Sequence, residues 1–302
     1  MMNADAFAVK AIPGKGKGLV AARAIAYGEL LLEEAPLFTQ HHHIAENSLA
    51  AALSRLPRDD QLRYLSLANS WRGSHRPLSG IWLTNAIPCG TPEDPNGDET
   101  EVEGVFPTAS LFNASCRPNV HHWWDPVKQR MVLRAERDIA QGEELCTAYT
   151  DILESRDERR AQLEEYYNFI CCCVACSLTG GELRRSDRRR EIVARVRGEM
   201  HEYADAALGL GRVKVAIQLL EEEGLLGSYG NQFYKAAFDL WALAGDAENA
   251  RMWAIKAWEL DCATKGPDSA PARHWKRLAE RPDGSVESEC EKDAYTLEGG
   301  EA

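Results

Sequence analysis

The 302-residue sequence has no run of about 18 uncharged apolar residues, so it offers no segment for a membrane-spanning helix. Its start, Met1-Met2-Asn3-Ala4-Asp5-Ala6-Phe7, lacks a basic stretch with an apolar one behind it, and no export signal is expected. Positive charge is in deficit. Thirty-five Lys and Arg stand against 47 Asp and Glu, a formal charge of −12. Direct nucleic-acid binding through a broad phosphate-neutralising surface is therefore not expected. An acidic body would instead attract a basic, Lys-rich peptide, mainly by speeding encounter. A Walker loop is absent too, since Gly14-Lys15-Gly16-Lys17-Gly18-Leu19 lacks the four-residue spacer and the Ser or Thr. Nor does this loop open the helix of a βαβ unit, which disfavours a dinucleotide fold. His41-His42-His43 has no Cys-x-x-Cys partner and reads as surface histidines. Without an export signal, the nine cysteines point to metal ligands or thiols in a cytoplasmic or nuclear protein, not to disulfides.

What is present falls into two halves. Residues 7–36 read as short strands and tight turns, with 13–18 as loop and Tyr27-Gly28-Glu29 as a turn before Leu30-Leu31-Leu32. Leucines at 49, 53, 56, 62, 65 and 67 predict helix over 45–70, broken at Pro57. Residues 81–87 suit a strand or short helix, and the polar, acidic stretch 91–104 an exposed loop. Strands are expected at 105–106, 120–124 and 131–134, with a hairpin turn at 125–128. After Tyr149 the character changes to a charged helix over 151–166, a cysteine cluster, and a break at Gly180-Gly181. The arginines at 184, 185, 188, 189 and 190 read as a solvated helix start. Helices follow at 213–223, 231–244 and 247–264. Ala250, Ala254 and Ala257 lie on one face beyond Gly245-Asp246, like one tetratricopeptide-type hairpin. The tail from Arg281, with seven acids, two bases and few apolar residues, is expected to be disordered.

Four segments carry candidate chemistry. Cys171-x-Cys173-x-x-Cys176 supplies three thiolates from one short loop, suited to three corners of a tetrahedral zinc site. The fourth ligand must come from elsewhere: Cys89, Cys116, Cys146, Cys172, Cys262, Cys290 or a histidine. The block 111–120, centred on Asn113-Ala114-Ser115-Cys116-Arg117-Pro118-Asn119, offers amides and carbonyls that could hold a nucleoside, or simply a connection built on Asx turns. The glycine loop at 14–18 lets an anion approach the backbone. Residues 142–151 read as a strand ending on Tyr149.

In this order, Gly16-x-Gly18-Leu19, the Asn-x-Ser-Cys-x-Pro-Asn block, Gly142-Glu143-Glu144-Leu145 running to Tyr149, and Cys-x-Cys-x-x-Cys resemble a SET-domain protein-lysine methyltransferase with its post-SET zinc loop. Arg159-Arg160-x-Gln162-Leu163 and the helical tail are most similar to the SMYD-like branch. The likeness covers residues 5–178 well and the tail loosely. It implies an α+β protein: a β-rich SET fold of several small sheets over 5–150, with a variable insert at 40–105 and a threaded C-terminal segment. A zinc-bound post-SET loop at 151–178, a helical, tetratricopeptide-like region at 182–280 and an acidic tail at 281–302 complete it. Two departures are visible. Ala114 stands where the family has a His, and no MYND finger interrupts residues 37–80.

The resemblance also implies roles. S-adenosylmethionine would be held by Asn113, the backbone of Ala114, Asn85 and the Lys15-Gly16-Lys17 loop, with Tyr167 and Phe169 packing the adenine and one wall of the lysine channel. Tyr149 would orient the amine beside the methyl group. One structural zinc would bind Cys116, Cys171, Cys173 and Cys176. The substrate would be a Lys-containing protein segment, a histone among the candidates. Two other readings compete: a catalytically inactive SET fold kept as a peptide-binding module, and a helical-repeat scaffold.

Overall fold

A computed structural model of the chain describes residues 5–41, 45–90, 102–200, 203 and 206–280. Its first half is built from short strands in three small sheets. β1 (Phe7–Ile12) and β2 (Gly16–Ala21) form a hairpin, antiparallel with Phe7 opposite Ala21 and Ile12 opposite Gly16. The glycine loop is therefore shorter than expected. Gly16, Lys17 and Gly18 already belong to β2, and only Pro13-Gly14-Lys15 turns. Beside β2 lies β10 (Glu144–Thr147), and on its other edge β7 (Asn113–Ala114), which runs parallel to it. The second sheet places β9 (Arg130–Ala135) between β3 (Leu30–Glu34) and β8 (Val120–Asp125). The third is β4 (Thr39–His41), β6 (Val102–Val105) and β5 (Ala86–Pro88), with β6 central.

The first two sheets enclose a core of Leu19, Leu31, Phe106, Phe112, Met131, Leu133 and Leu145. The insert forms its own cluster. α1 (Glu46–Ser54), α2 (Arg58–Leu65) and α3 (Pro77–Asn85) gather Leu49, Leu53, Tyr64 and Trp82, and Phe38 packs on both rings. α1 closes at Ser54, and Pro57, which cannot donate inside a helix, stands as the N-cap of α2. Residues 102–104, read as loop, are strand instead, since β6 fills the gap between β4 and β5. Of the histidine triplet only His41 is described, and it is exposed at the end of β4.

The charged helix α4 (Arg156–Tyr167) starts five residues later than its pattern suggested. Ser155 and Glu158 close a capping box there, satisfying first-turn donors. Asn168 ends it in the left-handed conformation, φ 56°, and turns the chain back toward the cysteines. Among the described residues from Gly180 to Glu280 the chain is mainly helical: α5 (Gly180–Glu199), α6 (Ala206–Glu223), α7 (Leu226–Leu243), α8 (Ala247–Thr264) and α9 (Ala270–Glu280), each packed on the next. Ala250, Ala254 and Ala257 are fully buried, so their small side chains let neighbouring helices approach. The expected disordered tail lies outside the described residues.

The arginine block corrects the sequence reading. Arg184, Arg185 and Arg188 are exposed, but Arg190 is fully buried and Arg189 is ion-paired to the buried Glu223 of α6 at 2.5 Å. Arg190 bonds the same carboxylate, and its other nitrogens donate to the carbonyls of Ile152 and Cys116. Charge pattern alone could not separate these residues. The period of α5 turns 190 inward, and a guanidinium there requires acceptors.

Glu136, after β9, sits where the sheets meet the helical half, with the Ser228 hydroxyl of α7 donating to it at 3.1 Å. His121 of β8 approaches the same carboxyl at 4.0 Å. Burial pushes the Glu136 carboxyl up to about 7, against the Ser228 bond and Arg137. Burial, with His122 and Lys265 nearby, lowers His121 to about 3. The raised carboxyl contributes stability that is complete below its unfolded value and lost as pH rises through about 7. The depressed His121 contributes stability above its unfolded value, lost as pH falls toward 3. Glu136→Gln removes only the first. Its melting temperature should gain on wild type by several degrees between pH 5 and 8, on the order of 2–4 °C per kcal/mol. A constant offset between the two melting curves across that range would contradict this.

Candidate active site and metal centre

Strand β10 delivers Thr147, Ala148 and Tyr149 to one end of a pocket. Asn85, Ile87, Ala109, Ser110, His122, Leu133 and Tyr167 complete most of its wall. The phenol of Tyr149 donates to the carbonyl of Phe112 at 2.7 Å, and its ring packs against Tyr167 with centroids 5.0 Å apart. Burial pushes the Tyr149 hydroxyl well above its ordinary value, with Tyr167, Cys146 and Glu144 adding to the effect. The phenol is thus protonated at neutral pH. Having given its proton to a carbonyl, its oxygen keeps lone pairs that can accept. Asn85, at the end of α3, gives its amide nitrogen to the carbonyls of Ala68 and Ile81, both at 2.7 Å. Phe169 is not among the residues that line this pocket, but it packs on the cysteine-containing core together with Ala148, Tyr149 and Tyr167, which do.

Asn113 stands on β7 opposite Cys146 of β10. Its amide nitrogen reaches the Glu144 carboxylate at 2.8 Å and the Lys17 carbonyl at 3.3 Å. A Cβ on Gly18 would lie 2.5 Å from that nitrogen, so only glycine lets β2 come this close. Lys15, expected to face an anion, is paired with Glu144 at 2.7 Å. Lys17 is exposed on β2. Glu144 therefore binds the two segments together, a role its place in Gly-Glu-Glu-Leu did not disclose. Asn119 does the same from within. Almost wholly buried, it accepts from the Cys146 N–H and donates to the Glu144 carbonyl, both at 2.8 Å.

Cys116, Cys171, Cys173 and Cys176 are buried, and their four sulfurs all lie within 4.8 Å of one another. Ligands about 2.3 Å from a tetrahedral zinc would be about 3.8 Å apart, so the donor set fits that ion. The Cys116 N–H points at the Cys173 sulfur, 3.3 Å away. Four thiolates around a dication leave excess negative charge, and arginines surround it. Arg159 is fully buried with Nη2 3.9 Å from the Cys176 sulfur, and Arg160 donates to the carbonyls of Cys171 and Cys176. Burial opposes the charge on Arg159, yet Cys116 and Cys176 outweigh it and hold its pKa above the ordinary value. Cys172 is exposed and outside the cluster. The cluster shares its apolar surroundings with Val193, Leu220 and Phe233 of the helical half.

Comparison with known proteins bears on this geometry directly. The SET domain profile matches residues 16–150. The histone-lysine N-methyltransferase set5 of Schizosaccharomyces pombe is 30% identical over 281 residues, covering 92% of this chain and 85% of that protein. The chain belongs to the SET-domain protein-lysine methyltransferase family. Shorter matches agree. Human histone-lysine N-methyltransferase SMYD3 is 44% identical over 82 residues, 27% of this chain and 19% of that protein. Drosophila melanogaster SmydA-8, a SET domain-containing protein, is 37% identical over 101 residues, 33% and 21% of the two chains. Within this methyltransferase, sequence reasoning missed Glu144, Asn119, Arg190 and His122. The pairing of β7 with β10, which brings Asn113 beside residues 31 or more positions later, has no signature in local pattern.

Proposed function

We propose that this methyltransferase transfers a methyl group from S-adenosylmethionine to a lysine of a protein substrate, a histone being the first candidate, in the nucleus or cytoplasm. The pocket of Tyr149, closed by Tyr167 immediately before the cysteine loop, is the observation that supports it. A free lysine, with a pKa near 10.4, is neutral in roughly one molecule in a few thousand at pH 7. The apolar walls from Ile87, Ala109, Leu133 and Ala148 disfavour the ammonium and so raise the neutral, nucleophilic fraction. When bound, S-adenosylmethionine supplies an electrophilic methyl. Tyr149, its proton held by Phe112, accepts an N–H of the amine and aligns the nitrogen lone pair. Asn113, whose amide nitrogen is engaged with Glu144, presents its side-chain oxygen to the cofactor, and Ala114 serves through its backbone. Asn85 holds the amino-acid end, with Lys15, Gly16 and Lys17 beyond it.

Titration calorimetry with S-adenosylmethionine tests the reading. Wild type should bind, Asn113→Ala should lose about tenfold or more in affinity, on the order of one hydrogen bond, and Ala114→His should retain it. Wild-type affinity in Asn113→Ala would place the cofactor elsewhere. Absence of binding in wild type would favour an inactive SET fold.

A further inference from the structure

The arginines at the start of α5 divide into two sets. Arg189 and Arg190 are tied inward to Glu223, whereas Arg184, Arg185 and Arg188 are exposed and have no task in the fold. With Gly181, Arg189 and Glu222 these three line an open groove of about 420 Å³. Neither Arg184 nor Arg185 has a hydrogen bond or ion pair among the described residues. Arg188 pairs with Glu191 at 2.8 Å, but both side chains are exposed, and such a pair is weak enough for another anion to replace it. Glu222, the acid on the groove wall, accepts from the Gln218 amide at 3.2 Å and faces Arg189 at 3.8 Å. The groove thus carries net positive charge on a chain whose formal charge is −12.

A Lys-rich substrate would be repelled by this face, so its partner is an anion. No apolar side chain lines the groove, which leaves no pocket for the side chains of an extended peptide. A phosphate backbone needs no such pocket, because contacts to it depend on charge and position, and a guanidinium meets phosphate with two parallel N–H donors. We propose that the arginine face of α5 docks the phosphate backbone of duplex DNA. Arg184 and Arg188 stand one turn apart, about 6 Å along the helix, close to the ~7 Å that two phosphates advance along one strand. The net charge argues against a broad nucleic-acid surface, and this face is local. The helix also fixes where the duplex lies. α5 starts four residues after Cys176, and Arg190, on its inner side, donates to the Cys116 carbonyl at 3.0 Å. The docking face is therefore built onto the cysteine cluster, whose loop follows the Tyr167 wall of the Tyr149 pocket. A basic protein carried on DNA would be held near that pocket. This use rests on the methyltransferase reading above; the docking itself does not.

Fluorescence anisotropy of a short labelled duplex with the full-length protein tests the docking without cofactor or substrate. Three phosphate contacts predict a slope of log affinity against log salt of about −2.7, a loss of roughly fortyfold for a fourfold rise in salt. Arg184→Gln, Arg185→Gln and Arg188→Gln together should weaken binding about tenfold or more at low salt and flatten the slope by about one unit per arginine. The same three positions changed to Lys keep the charge and should stay within about threefold of wild type. All three side chains are exposed, so both variants should melt near wild type. The second measurement compares methylation of purified core histones, free and assembled on DNA. The Gln variant should raise KM for the assembled histones about tenfold and leave KM for free histones unchanged. Wild-type duplex affinity in the folded Gln variant, or an unchanged KM for assembled histones, would overturn the proposal. So would a poly-Glu peptide that binds this face more tightly than the duplex, which would give it to an acidic protein instead. If wild type binds the duplex but methylates neither substrate, the docking stands and the reaction has been misread.

Discussion

Tyr149→Phe is expected to lower single-turnover methyl transfer by about tenfold or more at saturating S-adenosylmethionine, with little change in cofactor affinity. The ring would keep its contact with Tyr167, so packing survives. What is lost is one oxygen, which donates its proton to Phe112 and, on the function proposed above, receives the amine with a lone pair. Removing a positioned polar group where charge is redistributed typically costs on the order of 10²–10³ in rate, so tenfold is a cautious floor. The raised hydroxyl pKa argues against a general base, and the wild-type rate should show no break at neutral pH arising from this phenol. The substitution also strips a partner from the Phe112 carbonyl, worth about 1 kcal/mol of stability, so the comparison must be made well below both melting temperatures. Full activity in folded Tyr149→Phe would reduce the residue to a packing element.

The second large effect concerns metal. Purified protein should contain about one zinc per chain, and Cys116→Ser should lose most of it, whereas Cys172→Ser should keep it. Cys116 is 1% exposed and sits in the core shared with the helical half, so the damage will not stay local. Arg159 would face a disrupted cluster, leaving a buried guanidinium with fewer negative partners. A fall of about 10 °C or more in melting temperature is expected, corresponding to roughly 3–5 kcal/mol in a chain of this size. Because Cys116 lies three residues beyond Asn113, zinc loss should also weaken S-adenosylmethionine binding. Full zinc occupancy in Cys116→Ser would remove it from the ligand set.

Local signals served well wherever neighbours in sequence supply the structure. The break at Pro57, the strands on either side of residues 125–128, and the alanine face of α8 all depend on contacts or backbone limits within a few residues. The errors have one physical origin. Gly16 to Gly18 read as loop because glycine favours no element, and β1 made them strand by pairing. Residues 102–104 looked like the polar stretch before them until β4 and β5 offered them edges. Arg190 carried the same charge as its exposed neighbours, and only the packing of α5 on α6 and the cysteine loop could show which arginine had buried acceptors.

The sequence by itself pointed to the reaction class through a family resemblance, carried by three closely spaced cysteines, an Asn-x-Ser-Cys-x-Pro-Asn block and the Gly-Glu-Glu-Leu segment running to Tyr149, each a pattern written in adjacent residues. Tertiary structure alone decided what those residues touch. It brought Cys116 to cysteines 55 or more positions later, gave Lys15 and Asn113 to one carboxylate, and turned His122 rather than His121 toward Tyr149. Residue type limits which bonds can form. Which bonds do form across the three sheets depends on long-range pairing, whose register is fixed by the shared core.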